Sequence, residues 1–308
     1  MYLEKIFISN FRNLSCIEIF PSKNLNVLYG NNAQGKTNIL EAIYTLAFLK
    51  SFRGAKNDEL ILHAAEFSSI KATFVANKVR RKVNLTIEKK SKQVTIDNKK
   101  PQSSSEFFGV LKPILFFPDE IHILKGPPSG KRLLLDRAVF QTSPIYLNRV
   151  LEYNRFLKQR NKNLKEGKSN HPHDPWTEGL VSAGTYLRLE RNNYLGRIIP
   201  LLREVYKHIA GDQEHPDICY PLLHQSEEQL AENFKLDLRR TAERENYFGQ
   251  TLVGPHRDHI DFFINGFSLR QYGSQGQQRS FLLAFKIAQI IDIDKGNVAE
   301  TVSYGENI

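Results

Sequence analysis

Gly30-Asn31-Asn32-Ala33-Gln34-Gly35-Lys36-Thr37 meets every defined position of the pattern Gly-x-x-x-x-Gly-Lys-Ser/Thr. Before it stands an apolar run, Leu25 to Tyr29. After it, Thr37 to Leu49 sets Ile39, Leu40, Ile43, Leu46 and Ala47 at helical spacing. A buried strand, a glycine loop and a helix are therefore expected in direct succession. In such a loop the glycines let successive backbone N–H groups turn inward on a triphosphate, and the helix N-terminus adds positive potential. Lys36 is then placed to reach the β and γ phosphates of ATP, and Thr37 to ligand Mg²⁺. Ser51-Phe52-Arg53 follows that helix, so Arg53 is either a second phosphate contact or a solvated loop charge.

Outward from the loop, Leu3 to Ser9 and Cys16 to Phe20 read as strands, and Ser69 to Asp97 alternates as an antiparallel meander closed by the turn residues Asp97-Asn98. From Pro127 to about His224 long helices take over, interrupted by the polar stretch Gly167 to Pro175. A charged helix is expected from Ser226 to Phe248, strand character at Thr251 to Val253 and His259 to Ile264 with a hairpin turn at Asn265-Gly266, and a last helix from Gly276 to Ile290. The chain has 308 residues, 41% hydrophobic and 25% charged, which excludes wholesale disorder and collagen-like structure. Two cysteines without a Cys-x-x-Cys pair point to a reducing, cytoplasmic setting. No apolar run approaches the roughly 18 residues that cross a bilayer, so no membrane role is expected. The His171-Pro172-His173-Asp174 and His256-Arg257-Asp258-His259 groups lack a third and fourth ligand at metal spacing.

The balance of 43 Lys and Arg over 33 Asp and Glu, a net charge of +10, favours a polyanionic partner. Much of it lies in the meander, where Lys71, Lys78, Arg80, Arg81, Lys82, Lys89, Lys90, Lys92, Lys99 and Lys100 face only Glu88 and Asp97. Such a sheet displaces counterions from a phosphate backbone without reading sequence, or else serves as a solvated edge. A second run, Arg149, Arg155, Lys158, Arg160, Lys162, Lys165 and Lys168, fits phosphate contact and helix solvation equally well. Neither run has aromatic residues interleaved densely enough to argue base stacking.

The polar loop Tyr272-Gly273-Ser274-Gln275-Gly276-Gln277-Gln278-Arg279-Ser280 opens the last helix. Together with the phosphate loop it resembles the signature loop of ABC/SMC-type heads. The likeness sharpens at Ile6 to Asn13, at Phe117-Pro118-Asp119-Glu120 running into Lys125-Gly126-Pro127-Pro128 and Arg132, and at Val253-Gly254-Pro255-His256-Arg257-Asp258. All of these resemble the RecF family of recombination mediators, from Met1 to about Ile290. The resemblance implies an α/β ABC/SMC-type P-loop ATPase head with an antiparallel β meander and an inserted helical lobe. Its parts would be 1–126 and 225–308 for the head and 127–224 for the lobe. It also implies an ATP-dependent homodimer in which Ser274, Gln275, Gly276 and Gln277 meet the partner's nucleotide, binding of single- and double-stranded DNA and junctions, weak DNA-stimulated ATPase activity, a link to the SOS response, and RecO and RecR as partners.

One departure stands out. ABC-type heads follow the signature helix with an apolar strand ending in acidic residues that hold Mg²⁺ and orient water. Ile290-Ile291-Asp292-Ile293-Asp294 comes too soon for that strand, and Gly296 to Ile308 looks unlike the family. The expectation is a chain without its catalytic carboxylate, through truncation or a shifted frame, in which nucleotide binding outlasts turnover. Two competitors remain open at this point: a P-loop kinase acting on a small acceptor, and a DNA-binding protein indifferent to nucleotide.

Overall fold

The computed structural model describes residues 1–76, 79–108, 110–117, 120–167, 174–295 and 302–304. The chain divides into two units, Met1–Leu115 with Ile293–Ile308, and Phe116–Asp292.

In the first unit, β1 (Tyr2–Phe11), β2 (Leu14–Ile19), β3 (Phe67–Ala76), β4 (Val79–Glu88) and β5 (Lys92–Ile96) form one antiparallel sheet in the order β2-β1-β3-β4-β5. Alternation decides which face is buried. Ile6, Ile8, Ile70, Ala72, Phe74, Val83, Leu85 and Ile87 point to the core, where they join Ile39, Ala42, Ile43 and Leu46 of α1 (Lys36–Phe48). The expected meander is present, and Asp97 and Asn98 turn its end at φ +49° and +66°, the left-handed pair that a tight hairpin demands. The short α2 (Asn57–Leu60) and α3 (Ser104–Phe108) lead to β6 (Pro113–Leu115).

The run Leu25 to Tyr29 departs from expectation. It pairs with no described strand, and Tyr29 is 91% exposed. An apolar run becomes a buried strand only where neighbouring strands accept its ladder. Here the Asn26 side chain bonds the Ser22 backbone instead, accepting from Ser22 N at 2.7 Å and donating to Ser22 O at 2.9 Å.

In the second unit, α4 (Ile121–Lys125), α5 (Pro128–Thr142) and α6 (Pro144–Lys165) precede the 36-residue α7 (Pro175–Ala210). Then come β7 (Pro216–Cys219), α8 (Glu227–Phe248), β8 (Asp261–Ile264), β9 (Phe267–Ser268) and α9 (Gln275–Lys295). The helices enclose a core that includes Tyr146, Leu187, Tyr194, Leu195, Ile198, Phe234, Phe281 and Phe285. β7, β8 and β9 make a small antiparallel sheet whose Asn265-Gly266 turn has both φ angles positive, as the sequence predicts. Thr251 to Val253 is loop, not strand, because its polar groups bond to α6 and α8. α9 runs to Lys295, five residues past the expected end, since Asp292 turns back to pair with Arg197 of α7 at 3.2 Å. The chain then returns to the first unit, where β10 (Val302–Tyr304) lies parallel to β6. Among the described residues no helix is long and apolar enough to cross a membrane.

Candidate functional site

The phosphate loop runs straight into α1. Gly35 is the residue before the helix, at φ +97°, and a Cβ there would fall 2.7 Å from Leu14 Cδ2 and 2.9 Å from Asn13 Oδ1. Glycine alone fits both the backbone angle and the space. α1 begins with no side-chain cap and no acidic residue in its first turn. By contrast, Asp174 caps α7, and Ser226 with Gln229 forms a capping box on α8. The first N–H groups of α1 are therefore left without a side-chain acceptor, in a loop whose residues 30–34 are exposed. That is the arrangement a multiply charged anion completes. Lys36 Nζ folds back to donate to Gly30 O at 2.6 Å and Asn31 O at 2.8 Å. Thr37 is exposed on the first turn.

A polar web pins this loop from below. Asn13 Nδ2 donates to Ala33 O at 3.0 Å, and Asn38 Nδ2 donates to Asn13 Oδ1 at 2.8 Å. Arg53 donates to Asn38 Oδ1 at 3.0 Å, so it is drawn to the first turn of α1 and is no stray loop charge. Beneath them lies Glu41, whose side chain is fully buried. It accepts from Arg12 Nε at 3.1 Å, Arg12 NH2 at 2.8 Å and Ser51 Oγ at 2.5 Å, and pairs with Arg53 at 3.5 Å. One buried carboxylate thus holds two guanidinium groups beside the phosphate loop.

The signature loop lies in the second unit. Ser274 Oγ accepts from Gln277 N at 3.1 Å while Gln277 Oε1 accepts from Ser274 N at 3.0 Å, a reciprocal cap on α9. Gln277 Nε2 also donates to Glu214 at 2.8 Å. Gln278, fully buried, donates to Leu269 O and Gly273 O and so fixes the loop from inside. Ser274, Gln275 and Gly276 are left facing solvent.

The basic meander splits its cations. On the outward face, Arg80 binds Glu4 through two 2.7 Å bonds, and near the turn Arg81 meets Asp97 at 2.6 Å. Lys71 and Lys82 on that face, and Lys89 and Lys90 in the β4–β5 turn, make no ion pair among the described residues. Lys92 goes the other way, half-buried, donating to Leu49 O at the end of α1. Burial first, then the Lys50 charge, push its pKa down. Lys78 lies outside the described residues, as do Pro118, Asp119, Lys168 and His171 to His173.

A model of the RecF/RecN/SMC N terminal domain matches residues 2–288. The DNA replication and repair protein RecF of Syntrophotalea carbinolica is 44% identical over 295 residues, which are 96% of this chain and 81% of that one. The chain belongs to the RecF family. RecF of Geobacter sulfurreducens is 40% identical over 306 residues, covering 98% of this chain and 84% of its own. Among solved structures, the recombination mediator protein RecF with ATP, in the RecFOR pathway, aligns with a TM-score of 0.91 at 29% identity over 99% of this chain and 84% of that one. A Pyrococcus furiosus Smc head bound to the C-terminal domain of ScpA covers 99% of this chain and 90% of its own, with a TM-score of 0.53 at 12% identity, a likeness of fold.

The RecF-like stretch Val253 to Asp258 gives the second unit its most charged interior. Asp258 accepts from Arg188 Nε at 3.2 Å and NH2 at 2.7 Å, from Arg191 at 3.3 Å and from Tyr220 OH at 2.7 Å. Arg191 also grips Asp136, which accepts from Tyr146 OH at 2.6 Å. Gly254 sits at φ +124°, where a Cβ would strike Tyr153 Oη at 2.5 Å. His256 Nδ1 lies 2.6 Å from that same hydroxyl, and its Nε2 faces Thr251 O at 3.3 Å. Burial lowers the pKa of His256 to about 4. The neutral ring is therefore favoured in the folded state, and its stabilisation is complete above the unfolded value near 6.5. Acidification from pH 6.5 to 4 is expected to destabilise this unit progressively, and His256→Gln to flatten that dependence. Denaturation followed by the single tryptophan, Trp176 of α7, reads the effect, and an equally steep dependence in the variant would refute it.

The sequence marks the loop, Arg53 and Ser274, but not Glu41 or Arg12, which support the loop and Arg53. The signal available was Arg12 within the RecF-like stretch Ile6 to Asn13. A lone glutamate inside an apolar helix face carried none.

Proposed function

We propose that this RecF-family chain is an ATP-binding DNA replication and repair protein, acting in the cytoplasm. ATP is held by the N–H groups of Gly30, Asn31, Asn32, Ala33, Gln34 and Gly35 and by Lys36, with Arg53 beside it and Thr37 offering its hydroxyl to Mg²⁺. Ser274, Gln275, Gly276 and Gln277 meet the ATP of a second copy, so binding closes a dimer. Residues 127–224 act as a lobe inserted between head segments 1–126 and 225–308. DNA lies along the cations of the meander, with Lys78, Arg80, Arg81, Lys82, Lys89 and Lys90 as its candidate contacts, while Lys92 is drawn inward to Leu49. RecO and RecR are its partners, and the SOS response its wider setting. The observation that carries this reading is the entry to α1, where Gly35 alone fits, the first turn has neither a side-chain cap nor an acid, and Lys36 folds over the exposed loop. Agreement with a RecF structure that holds ATP supports it.

The test is an equilibrium titration with ATP, with and without Mg²⁺, followed by duplex DNA binding in the presence and absence of nucleotide. Saturable ATP binding strengthened by Mg²⁺, with DNA affinity that depends on nucleotide, is the expected result. A protein that ignores adenine nucleotides, or binds DNA identically without them, overturns the reading.

A further inference from the structure

The six described residues of the second basic run resolve into three classes. Arg160 is withdrawn into the interior, where it binds Glu245 at 2.6 Å and Thr251 at 2.7 Å. Arg149 pairs with Glu152 at 2.8 Å and lies over Tyr186. Arg155, Lys158, Lys162 and Lys165 remain, all exposed, at intervals of three, four and three residues. That spacing sets them in one line on α6, about 15 Å long at 1.5 Å per residue. From Tyr153 to Lys165 the helix contains no acidic residue, and among the described residues the row's one ion pair is Lys162 with Glu166 at 3.9 Å.

A helix face that exists only to be solvated interleaves charges of both signs, as α8 does. Three successive like-charge pairs disfavour their own helix, so a row of this kind gains from an external anion. Near the Lys165 end, the close of α8 carries an exposed aromatic pair. Tyr247 is 85% and Phe248 54% exposed, with their rings edge-on 5.1 Å apart at the end of α8. The next residue, Gly249, packs so closely on Lys165 that a Cβ would lie 2.9 Å from its Cγ. Arg160 with Glu245, and Thr251 N with Asn161 at 2.7 Å, clamp the two helix ends together.

We propose that α6 and the end of α8 form a single-stranded nucleic-acid site: Arg155, Lys158, Lys162 and Lys165 track the phosphates, and Tyr247 and Phe248 stack unpaired bases. Cations that follow a backbone and end on exposed rings are what sequence-tolerant single-strand binding requires. The site rests on the DNA-binding reading above but is separate from the meander in sequence and in unit.

Fluorescence anisotropy with a 20-residue oligothymidine and a 20-base-pair duplex, from 50 to 200 mM salt, tests it. Neutralising all four cations to Gln should make the plot of log affinity against log salt shallower by about 3 for the single strand. Tyr247→Ala with Phe248→Ala should weaken oligothymidine roughly 10-fold or more and leave the duplex unchanged. Trp176 fluorescence checks that each variant is folded. Parent binding to both DNAs with an unchanged slope in the four-cation variant sinks this site and leaves the DNA-binding reading standing. Equal weakening of both DNAs by the aromatic variant also overturns it, and a parent that binds neither DNA sinks both readings.

Discussion

Replacing Lys36 with Ala is expected to lower ATP affinity by about 100-fold while leaving the fold intact. Among the described residues the ammonium donates only to the carbonyls of Gly30 and Asn31, in a loop open to water. Losing those bonds exposes nothing that solvent cannot satisfy. With a triphosphate in place, the same group makes charge-assisted bonds to anionic oxygens, each worth about 1.5–3 kcal/mol. One or two of these account for the expected loss. Titration of parent and variant with ATP, alongside their circular dichroism, makes the comparison. Affinity within threefold of the parent would mean that the backbone cradle holds the phosphates without it.

Asp258→Asn is the second large effect, and it falls on stability. The carboxylate sits among Arg188, Arg191 and Tyr220, and both guanidinium groups are almost wholly buried. Arg191 keeps Asp136 as a second anion, whereas Asp258 is the only carboxylate paired with Arg188 among the described residues. Asparagine preserves the shape and removes the charge, leaving a buried cation uncompensated, which costs about 3–5 kcal/mol. Arg149→Ala is the matched control. Its pair with Glu152 is open to water and worth about 0–1 kcal/mol. Denaturant unfolding followed by Trp176 reads the second unit directly. A loss for Asp258→Asn no greater than the control's would mean that the network is dispensable.

The readable part of this chain was its local part. The phosphate loop, the meander with its Asp97-Asn98 turn, the Ser226 start of α8 and the Asn265-Gly266 hairpin each depend on residues within a few positions of one another, so the sequence carries them. Leu25 to Tyr29 was misjudged because a strand is defined by its neighbours, which composition does not supply. Glu41 was invisible for a related reason. Its role comes from Arg12, 29 residues away, and Ser51, ten residues away, meeting under the loop. The nearness of the Tyr247-Phe248 pair to α6 was equally hidden, since it follows from Gly249, the next residue, packing on Lys165 where two distant helix ends meet. The basic runs were legible as charge but not as faces. Strand register and helix phase sent Lys92 and Arg160 inward while their neighbours stayed in water.

Sedimentation velocity on the parent and on Ser274→Arg, each saturated with ATP, bears most directly on the idea that one nucleotide is held by two copies. Ser274 faces solvent at the head of α9, so the variant alters that surface and removes the Ser274 half of the reciprocal cap, while every residue of the phosphate loop is kept. The parent should sediment as a dimer only with ATP. The variant should bind ATP as tightly per site as the isolated loop allows, yet remain a monomer. A parent that binds ATP and stays monomeric, or a variant that dimerises as readily as the parent, would contradict the account.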